Sequence, residues 1–316
     1  MLDWAKKELD RPSLTLDPLQ GDASFRQYFR LQDGKDSWII VHTPPEAGTM
    51  DDFIRIQEDL KQYHIPVPAL YAIQAEQGWL IQEDLGSKSL FDLSQQMMPS
   101  ALYQQAFADL ASLQIQSISS YPAYDTKSLW VECERLMKWW ATLYYQDPFT
   151  STEVLIFENL CQKLINEMQS QPQIWVHRDF HSRNLMVQNQ RVFWIDFQDG
   201  CIGPLLYDVV SLGKDAYLQW SDDEMMPQLR FYYDTLTAHW DKTPLSNFSW
   251  FIDQYHWTGL QRHIKILGIF ARLAIRDQKP HYLQVSTPIL MHYIAKVCEH
   301  YDFCAPLLPI LQRRLP

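Results

Sequence analysis

HRDFHSRN, residues 177–184, is followed twelve residues later by Asp196, which stands between apolar neighbours. The spacing is H-x-D-x-x-x-x-N and then a lone aspartate. Phosphoryl transfer to a hydroxyl group requires a carboxylate that orients the hydroxyl and accepts its proton, and further oxygen ligands that hold Mg²⁺ against the phosphates. Asp179 fits the first role, and Asn184 and Asp196 fit the second. Each residue alone is typical of a turn or a strand end, so the prediction depends on the spaced set.

Three other side chains of this stretch are less specific. We expect His177 to hold the loop by hydrogen bonds and not to act as a base. His181 and Arg183 fit two interpretations equally: they are solvated loop residues, or they contact an anionic substrate or a phosphate.

Composition and charge narrow the class of protein. The chain has 316 residues, of which 47% are hydrophobic, and this is enough for one large domain or two smaller ones. Its formal net charge is −11, whereas a duplex-binding protein normally carries a basic face. We therefore expect no nucleic-acid partner. An acidic protein can still bind ATP through a local site and Mg²⁺.

Cysteine usage and hydropathy indicate the compartment. Five cysteines without CxxC spacing favour neither a disulfide framework nor a zinc site and suit a reducing cytosol. Residues 1–10 carry charges throughout and predict a short helix, not a signal peptide. The most apolar stretch, residues 264–275, is interrupted by charges and is too short to span a bilayer. We expect a cytoplasmic protein without a membrane partner, and a monomer.

The pattern along the chain predicts an α+β fold with two lobes. Up to about residue 85 it indicates strands and one helix: strands at 24–31, 37–41, 70–75 and 79–82, a hairpin turn at 32–35 and a helix at 51–63. Beyond it, helical patterns enclose short strand-like runs: helices at 100–117, 129–145, 151–170 and from 205 onwards, and strands at 174–176, 185–187 and 192–195. We expect a nucleotide-binding lobe at 1–85 and a helical lobe with the catalytic loop and substrate site at 86–316.

Two further segments fit a nucleotide site. The run Gly21-Asp-Ala-Ser-Phe-Arg26 precedes a strand, and a turn there would lay backbone N–H groups over phosphates. It supplies the candidates Ser24, Phe25 and Arg26. The run 79–86 ends a strand at the predicted linker, where the backbone of Glu83 and Leu85 would meet adenine. Each segment alone would equally make an ordinary turn or strand end.

Taken together, these residues resemble the aminoglycoside phosphotransferase family, which is related to the protein kinases. The resemblance covers most of the chain. It implies a protein-kinase-like fold and ATP and Mg²⁺ as cofactors, with Asp179 as the catalytic aspartate and Asn184 and Asp196 as the metal ligands. It also implies a structural role for Asp208.

Within the family, several runs are similar to bacterial kinases that phosphorylate the anomeric hydroxyl of N-acetylmuramate and N-acetylglucosamine during peptidoglycan recycling. They are GDASFRQYFRL (21–31), TPPE (43–46), EDLG (83–86), HRDFHSRNLM (177–186), IDFQD (195–199) and LQRHIKILGIFARL (260–273). The last run implies a basic segment in the helical lobe that suits a neutral or anionic sugar. Our substrate-site candidates are Arg183, Arg262, His263 and Lys265.

One departure from the kinase pattern affects the phosphate contacts. Most kinases of this fold carry a lysine on the third strand, but residues 37–42 contain none, and Lys35 falls in the turn. Arg26 or Arg30 is expected to supply the missing charge.

Three alternatives remain open at this stage. The first is a kinase of the same fold that acts on another alcohol, such as an aminoglycoside, choline or homoserine. The second is an inactive nucleotide-binding scaffold, which the missing lysine suggests but the presence of all three acidic and amide residues disfavours. The third is a protein kinase, which is disfavoured because no Ala-Pro-Glu element follows Asp196.

Overall fold

The structure, a computed structural model, divides into two compact units. We call Met1–Leu90 with Asn184–Gln198 the strand unit, and Phe91–Arg183 with Asp199–Pro316 the helical unit. The expected functions of the segments 1–85 and 86–316 stay predictions. The residues that the structure describes are 1–19, 26–44, 50–116, 118, 120–240, 245 and 247–315.

The elements follow one another in an α+β order, which confirms the predicted fold class. The strands are β1 (Thr15–Leu19), β2 (Gln27–Asp33), β3 (Asp36–His42), β4 (Leu70–Gln74), β5 (Trp79–Glu83), β6 (Gln173–Val176), β7 (Leu185–Gln188), β8 (Arg191–Trp194) and β9 (Cys201–Pro204). The α-helices are α1 (Leu2–Glu8), α2 (Asp51–Gln62), α3 (Leu90–Leu93), α4 (Ser100–Gln114), α5 (Thr126–Arg135), α6 (Ser151–Ser170), α7 (Tyr207–Gly213), α8 (Asp222–His239), α9 (Phe248–Arg276), α10 (His281–His300) and α11 (Leu307–Gln312).

The described part of the strand unit contains an antiparallel sheet with the order β1-β2-β3-β5-β4. Successive side chains of a strand point to opposite faces, and both faces of this sheet are covered. Ile40 of β3 packs on one face with Leu31, Ile81 and residues of α1. Its neighbours Ile39 and Val41 pack on the other face, against residues of α2. The centre of the sheet is therefore buried on both sides.

Most of the predicted elements of this unit are confirmed. The turn between β2 and β3 contains Gly34 at φ 63°, a left-handed conformation that glycine adopts without strain. Helix α2 and the β4–β5 pair lie where the pattern placed them. Strand β1 was not predicted, because Pro18 interrupts its pattern. Proline is tolerated there because β1 is an edge strand that pairs with β2 alone in this sheet. The unit also contains the β7–β8 hairpin.

The helical unit is built around α9, much of which is buried. The predicted helix at 129–145 is wrong in its second half, where a π-helix (Leu136–Tyr144) continues α5. This segment lies close to α9: a Cβ on Gly268 would come within 2.6 Å of the Arg135 carbonyl carbon. Helix α6 begins at the predicted residue with a capping box between Thr150 and Glu153.

Strands β6 and β9 of the helical unit pair with each other, and β6 ends directly before His177, the first residue of the motif. Strand β6 was predicted, but its antiparallel partner β9 was not, because Gly203 and Pro204 in β9 are typical of a turn. In the described part of the chain, no helix combines the length and the apolar character needed to cross a membrane.

Candidate active site

Residues 177–183, the part of the motif that lies in the helical unit, directly follow β6. This segment is fixed at its beginning by Asp208. The Asp208 carboxylate, fully buried in the first turn of α7, accepts hydrogen bonds from the backbone N–H groups of His177 at 2.6 Å and Arg178 at 3.0 Å. These bonds hold Arg178 at φ 73°, a conformation that is unfavourable for a residue with a side chain. Asp208 thus determines the direction in which the chain leaves the strand.

A second buried carboxylate fixes the other end of the segment. Asp215 accepts the backbone N–H of Ser182 at 2.8 Å through Oδ2 and that of Tyr217 at 2.9 Å through Oδ1. Asp215 belongs to no motif and was not among the predicted site residues. A signal was present, because Asp208 and Asp215 enclose the run Val-Val-Ser-Leu-Gly-Lys, in which buried apolar residues predominate. Acids at both ends of such a run need hydrogen-bond donors nearby.

The Asp179 carboxyl lies among positive charges. Burial raises its pKa, but the Lys265 ammonium, together with His181, Arg262 and His177, has the opposite effect, and the pKa falls below its ordinary value. The backbone N–H of Asp179 donates to Nδ1 of His177 at 3.3 Å, which agrees with the expected structural role of that histidine. Asp179 is therefore an ionised carboxylate at neutral pH.

Lys265 is buried in a network of polar side chains. Its ammonium donates to the Tyr207 hydroxyl at 2.7 Å and lies 3.2 Å from a carboxylate oxygen of Glu132. The Tyr124 hydroxyl donates to the other oxygen of Glu132, and Arg178 lies 3.4 Å from this carboxylate. The Glu132 carboxylate thus lies beside two cations and accepts a hydrogen bond from a hydroxyl group. Glu132 was not predicted, because the sequence around it has the pattern of an ordinary amphipathic helix.

Arg262 is the buried cation of this region with unused donors. Only 3% of the residue is exposed, and its Nε and Nη1 have no hydrogen-bond partner in the part of the chain that the structure describes. Its Cζ lies 6.0 Å from the centroid of the Tyr207 ring. A buried guanidinium normally pairs with an anion or a hydrogen-bond acceptor. The structure thus presents, near Asp179, donors that are suited to a bound anion.

The other two substrate candidates have different surroundings. His263 is fully buried, and burial together with the charge of Lys214 lowers its pKa to about 3. It is therefore neutral, and its Nε2 lies 3.1 Å from the Lys214 carbonyl oxygen, to which it donates. Arg183 stacks over the ring of Tyr217, with 3.9 Å from its Cζ to the ring centroid. A neutral His263 supplies no charge for an anion.

Asn184 and Asp196, the metal candidates, lie together in the strand unit. Asn184 immediately precedes β7. Asp196 follows shortly after β8 and has a backbone φ of 64°. Nδ2 of Asn184 donates to Asp196 at 3.4 Å, and Nε2 of Gln198 donates to its other carboxylate oxygen at 2.8 Å. Ile195 N–H also donates to the Asn184 carbonyl at 3.0 Å. The hairpin therefore brings together two side chains that are twelve positions apart.

The side-chain oxygens of Asn184 and Asp196 are suitable ligands for a magnesium ion. Mg²⁺ is usually held in kinases by one or two protein oxygens together with phosphate oxygens. Asp196 is exposed, and its carboxylate contacts two amides and no cation side chain among the described residues. No cluster of three histidine, cysteine or acidic residues suitable for a metal occurs in the described ranges.

The candidates for nucleotide contacts differ in how they are held. Arg30 forms a bidentate pair with Asp84, at 2.7 and 3.0 Å, and also donates to the Gly86 carbonyl. Arg26 lies over the ring of Phe53, with 5.6 Å from its Cζ to the centroid. Both Arg26 and Asp196 affect the pKa of Tyr28, which is raised chiefly by burial. Arg26 is thus near the metal candidates, whereas Arg30 braces the segment that follows β5.

The other candidates for nucleotide contacts include Glu83 and Leu85, whose backbone groups were predicted to meet adenine. Glu83 ends β5, and its side chain accepts the Ala69 N–H at 3.1 Å. Leu85 is buried and follows Asp84, which Arg30 fixes. Ser24 and Phe25 lie outside the described residues.

Comparison with known proteins gives the family of the chain. The model of the phosphotransferase enzyme family (APH) matches residues 15–244. The chain belongs to this family. An N-acetylmuramate/N-acetylglucosamine kinase of Pseudomonas aeruginosa is 32% identical over 274 residues, which cover 86% of this chain and 80% of that protein.

Solved structures confirm the protein-kinase-like fold. The ADP-bound aminoglycoside phosphotransferase APH(2'')-Ib has a TM-score of 0.62 at 12% identity and covers 92% of this chain and 95% of its own. Choline kinase LicA from Streptococcus pneumoniae also has a TM-score of 0.62, at 14% identity, and covers 93% and 99%. The predictions of the family and of an ATP-dependent kinase are confirmed, while likeness at this identity leaves the acceptor open.

Proposed function

We propose that the protein transfers the γ-phosphate of ATP to the anomeric hydroxyl of N-acetylmuramate and N-acetylglucosamine. The names of relatives about 32% identical to the chain support an amino-sugar kinase. The observation that favours these sugars over cationic alcohols is the Arg262 guanidinium, which is buried, has donors without a partner among the described residues, and has a charge that lowers the pKa of Asp179. A cation there suits the carboxylate of N-acetylmuramate and disfavours choline or a cationic aminoglycoside.

Asp179 is proposed to orient the acceptor hydroxyl and take its proton. The cations around it lower its pKa, so it is a weak base and accepts the proton late, as the bond to phosphorus forms. The anomeric hydroxyl suits a weak base, because the ring oxygen withdraws electron density and makes this hydroxyl more acidic than an ordinary alcohol. The phosphoryl group goes to the sugar oxygen, and ADP leaves.

Asn184 and Asp196 are proposed to hold Mg²⁺ through their side-chain oxygens. When bound, the ion balances the negative charge of the phosphates. The amide of Gln198 keeps the Asp196 carboxylate oriented. Because the usual strand lysine is absent, we assign the phosphate-binding charge to Arg26 and a bracing role to Arg30, which Asp84 already engages. The backbone of Glu83 and Leu85 is proposed to meet adenine, with Ser24 and Phe25 near the phosphates.

Arg262 is proposed to distinguish the two sugars. N-acetylmuramate carries a lactyl carboxylate that N-acetylglucosamine lacks, and a planar guanidinium can bind a carboxylate through two parallel hydrogen bonds. Lys265 is engaged by Glu132 and Tyr207, so it supports this site by its charge. Arg183 is a further candidate for anion contact. Such a kinase would act as a monomer in the cytoplasm and serve peptidoglycan recycling.

The position of the new phosphate tests the proposal. The protein is incubated with ATP, Mg²⁺ and a panel of amino sugars, an aminoglycoside, choline and homoserine, and products are examined by ³¹P-coupled NMR. We expect coupling between phosphorus and the anomeric proton of both amino sugars. Phosphate on the 6-hydroxyl, or turnover of another alcohol alone, would refute the acceptor assignment and leave the kinase family intact.

A further inference from the structure

A cavity of about 450 Å³ lies in the helical unit, and its lining includes neither Asp179 nor the residues whose charges lower the Asp179 pKa. Helix α9 contributes Ile252, Tyr255 and His256 to its wall. Lys265, which affects Asp179, follows His256 by nine residues, or about two and a half turns, and therefore lies on the opposite side of the helix. His256 of the cavity and Lys265 beside Asp179 thus lie on opposite faces of α9. Arg262, by contrast, lies on the same face as Tyr255, two turns and about 10 Å further along the helix.

The lining of the cavity changes from apolar to charged towards its mouth. The inner wall is mostly apolar and aromatic: Trp220, Met225, Leu229, Ile252, Tyr255 and Tyr293. The outer wall consists of more exposed residues: Asp222, Met226, Lys296, Glu299 and His300. Pockets that bind small organic molecules have this size and composition, an apolar body with a few polar groups.

Lys214 is the cation at the inner end of this cavity. It is 4% exposed, and its ammonium lies 2.8 Å from Nδ1 of His256 and 4.9 Å from the centroid of the Tyr255 ring. In the part of the chain that the structure describes, it forms no ion pair with a carboxylate within 4 Å. Asp222, whose charge raises the pKa of Lys214, is paired instead with Lys296 at 3.0 Å.

Two glycines make room for this arrangement. A Cβ on Gly259 would come within 2.9 Å of Cδ of Lys214, and a Cβ on Gly213 would come within 2.5 Å of the Tyr255 hydroxyl. The Lys214 side chain therefore lies in a slot on α9 that a larger residue would close. The position of the cation is built into the packing of the helices.

Burial of this lysine without a counter-ion has an electrostatic consequence. Burial lowers the pKa of Lys214 to about 7, and the charge of Lys296 adds to this effect while Asp222 opposes it. Burial also lowers the pKa of His256 to about 2, so that this histidine is neutral and accepts from the ammonium through Nδ1. An anion beside Lys214 would restore its full charge.

We propose that this cavity binds a small organic anion, whose carboxylate or phosphate group accepts hydrogen bonds from Lys214 while its apolar body packs against Trp220 and Leu229. An ammonium has donors and no acceptor, so it requires an acceptor from its ligand. The carboxylates of Asp222 and Glu299 at the mouth disfavour the entry of molecules with several negative charges, such as nucleoside triphosphates. This proposal does not rest on the proposed sugar kinase reaction.

Calorimetric titration with benzoate, phenyl phosphate and neutral benzyl alcohol at pH 6.5 tests the site. Arg262→Ala is the control, because Arg262 is a buried cation whose Nε and Nη1 have no hydrogen-bond partner among the described residues and which could bind an anion instead. We expect at least one of the two anions to bind wild type and Arg262→Ala alike, and benzyl alcohol to bind at least about tenfold more weakly. Lys214→Met should weaken the anion about tenfold or more. Affinity should fall by about tenfold per pH unit above pH 7, because the neutral amine must first gain a proton.

Met226→Trp keeps the test decisive if Lys214→Met does not fold. Met226 is partly exposed at the mouth, and a larger ring there should block entry and abolish binding without changing Lys214. Thermal unfolding checks that each variant is folded. Absence of binding by both anions, binding that survives in folded Lys214→Met or in Met226→Trp, or binding that is lost in Arg262→Ala would overturn the proposal.

Discussion

Asp179 in the helical unit and Asp196 in the strand unit are both aspartates of the same motif, but their surroundings differ. Asp179 lies among cations, of which Lys265 has the largest effect on its pKa. Asp196 is exposed, and its carboxylate accepts hydrogen bonds from the neutral amides of Asn184 and Gln198. One carboxylate is already balanced by charge within the protein, and the other is oriented by dipoles.

This difference supports the proposed division of work between the two carboxylates. A carboxylate that protein cations already neutralise attracts a metal ion less, and it can orient a hydroxyl without drawing Mg²⁺ away from the phosphates. A carboxylate that is held only by amides keeps its full charge for a cation. The predictions below test this division, from the largest expected effect to the smallest.

Replacement of Asp179, the proposed base, should have the largest effect. Asp179→Asn is expected to reduce kcat by about 10²–10⁴-fold, because the amide cannot accept the proton. Thermal unfolding should change little, since Asp208 and Asp215 hold the segment through its backbone. Asp302→Asn, an exposed aspartate, is the matched control. Near-normal turnover in Asp179→Asn would remove this residue from the mechanism.

Loss of the Asn184 amide, a proposed Mg²⁺ ligand, should raise the Mg²⁺ concentration that the enzyme requires. Asn184→Ala is expected to increase the Mg²⁺ concentration for half-maximal activity by about tenfold or more, because one oxygen ligand is lost. Asn166→Ala, an exposed amide on α6, serves as the control and should leave the Mg²⁺ titration unchanged. Activity that persists in the presence of a chelator would contradict the metal assignment.

Arg262 should affect one sugar more than the other. Arg262→Ala is expected to lower kcat/KM for N-acetylmuramate by roughly ten- to hundredfold and to spare N-acetylglucosamine, since a charge-assisted bond contributes about 1.5–3 kcal/mol. Arg262→Lys keeps the charge but not the planar fork and should give an intermediate loss for N-acetylmuramate. An equal loss on both sugars would show that Arg262 supports the fold or the shared part of the sugar.

The pH dependence should show the smallest effect. Burial raises the pKa of Asp208 to about 6, so at pH 5.5 only about a quarter of it stays ionised and can accept both backbone N–H groups. We expect kcat/KM to fall roughly fourfold between pH 7.5 and 5.5. Because this pKa is higher in the folded than in the unfolded protein, acid should not reduce the contribution of Asp208 to the free energy of unfolding.

A pH-rate profile together with urea unfolding at both pH values checks this point. The contribution of Asp208 to the free energy of unfolding should be larger near pH 4 and should decline as the pH rises to about 6. Asp208→Asn should have no acid limb near pH 6, although its activity should be lower at every pH. A limb that persists in this variant would assign the titration to another group.

The fold could be predicted where local patterns decide the structure. Helix α6 begins at its capping box, and the β2–β3 turn lies at Gly34, because each depends on neighbouring residues. Strands β1 and β9 were missed because proline or glycine interrupts them, and only their pairing partners make them strands. The π-helix depends on tertiary contacts in the same way.

The candidate site could be predicted only for residues that belong to a spaced motif. The motif makes Asp179, Asn184 and Asp196 recognisable, because these residue types stand at a spacing along the chain that fits phosphoryl transfer. Glu132 and Asp215 act through contacts with distant segments; no short pattern marks Glu132, and Asp215 is marked only by its place at the end of a buried run. The open donors of Arg262 likewise depend on which acceptors the fold leaves nearby, so its sequence neighbours could suggest a cation but not its state.

Binding of ATP to Asp179→Asn and Asp196→Asn, measured by calorimetry with and without Mg²⁺, tests the division of work most directly. If Asp179 serves the acceptor and Asp196 the metal, Asp179→Asn should bind ATP as wild type does, with the same gain in affinity from Mg²⁺. Asp196→Asn should lose that gain, an effect of about tenfold or more on the Kd. Equal behaviour of the two variants, or a Mg²⁺-dependent gain that survives in Asp196→Asn, would contradict the account.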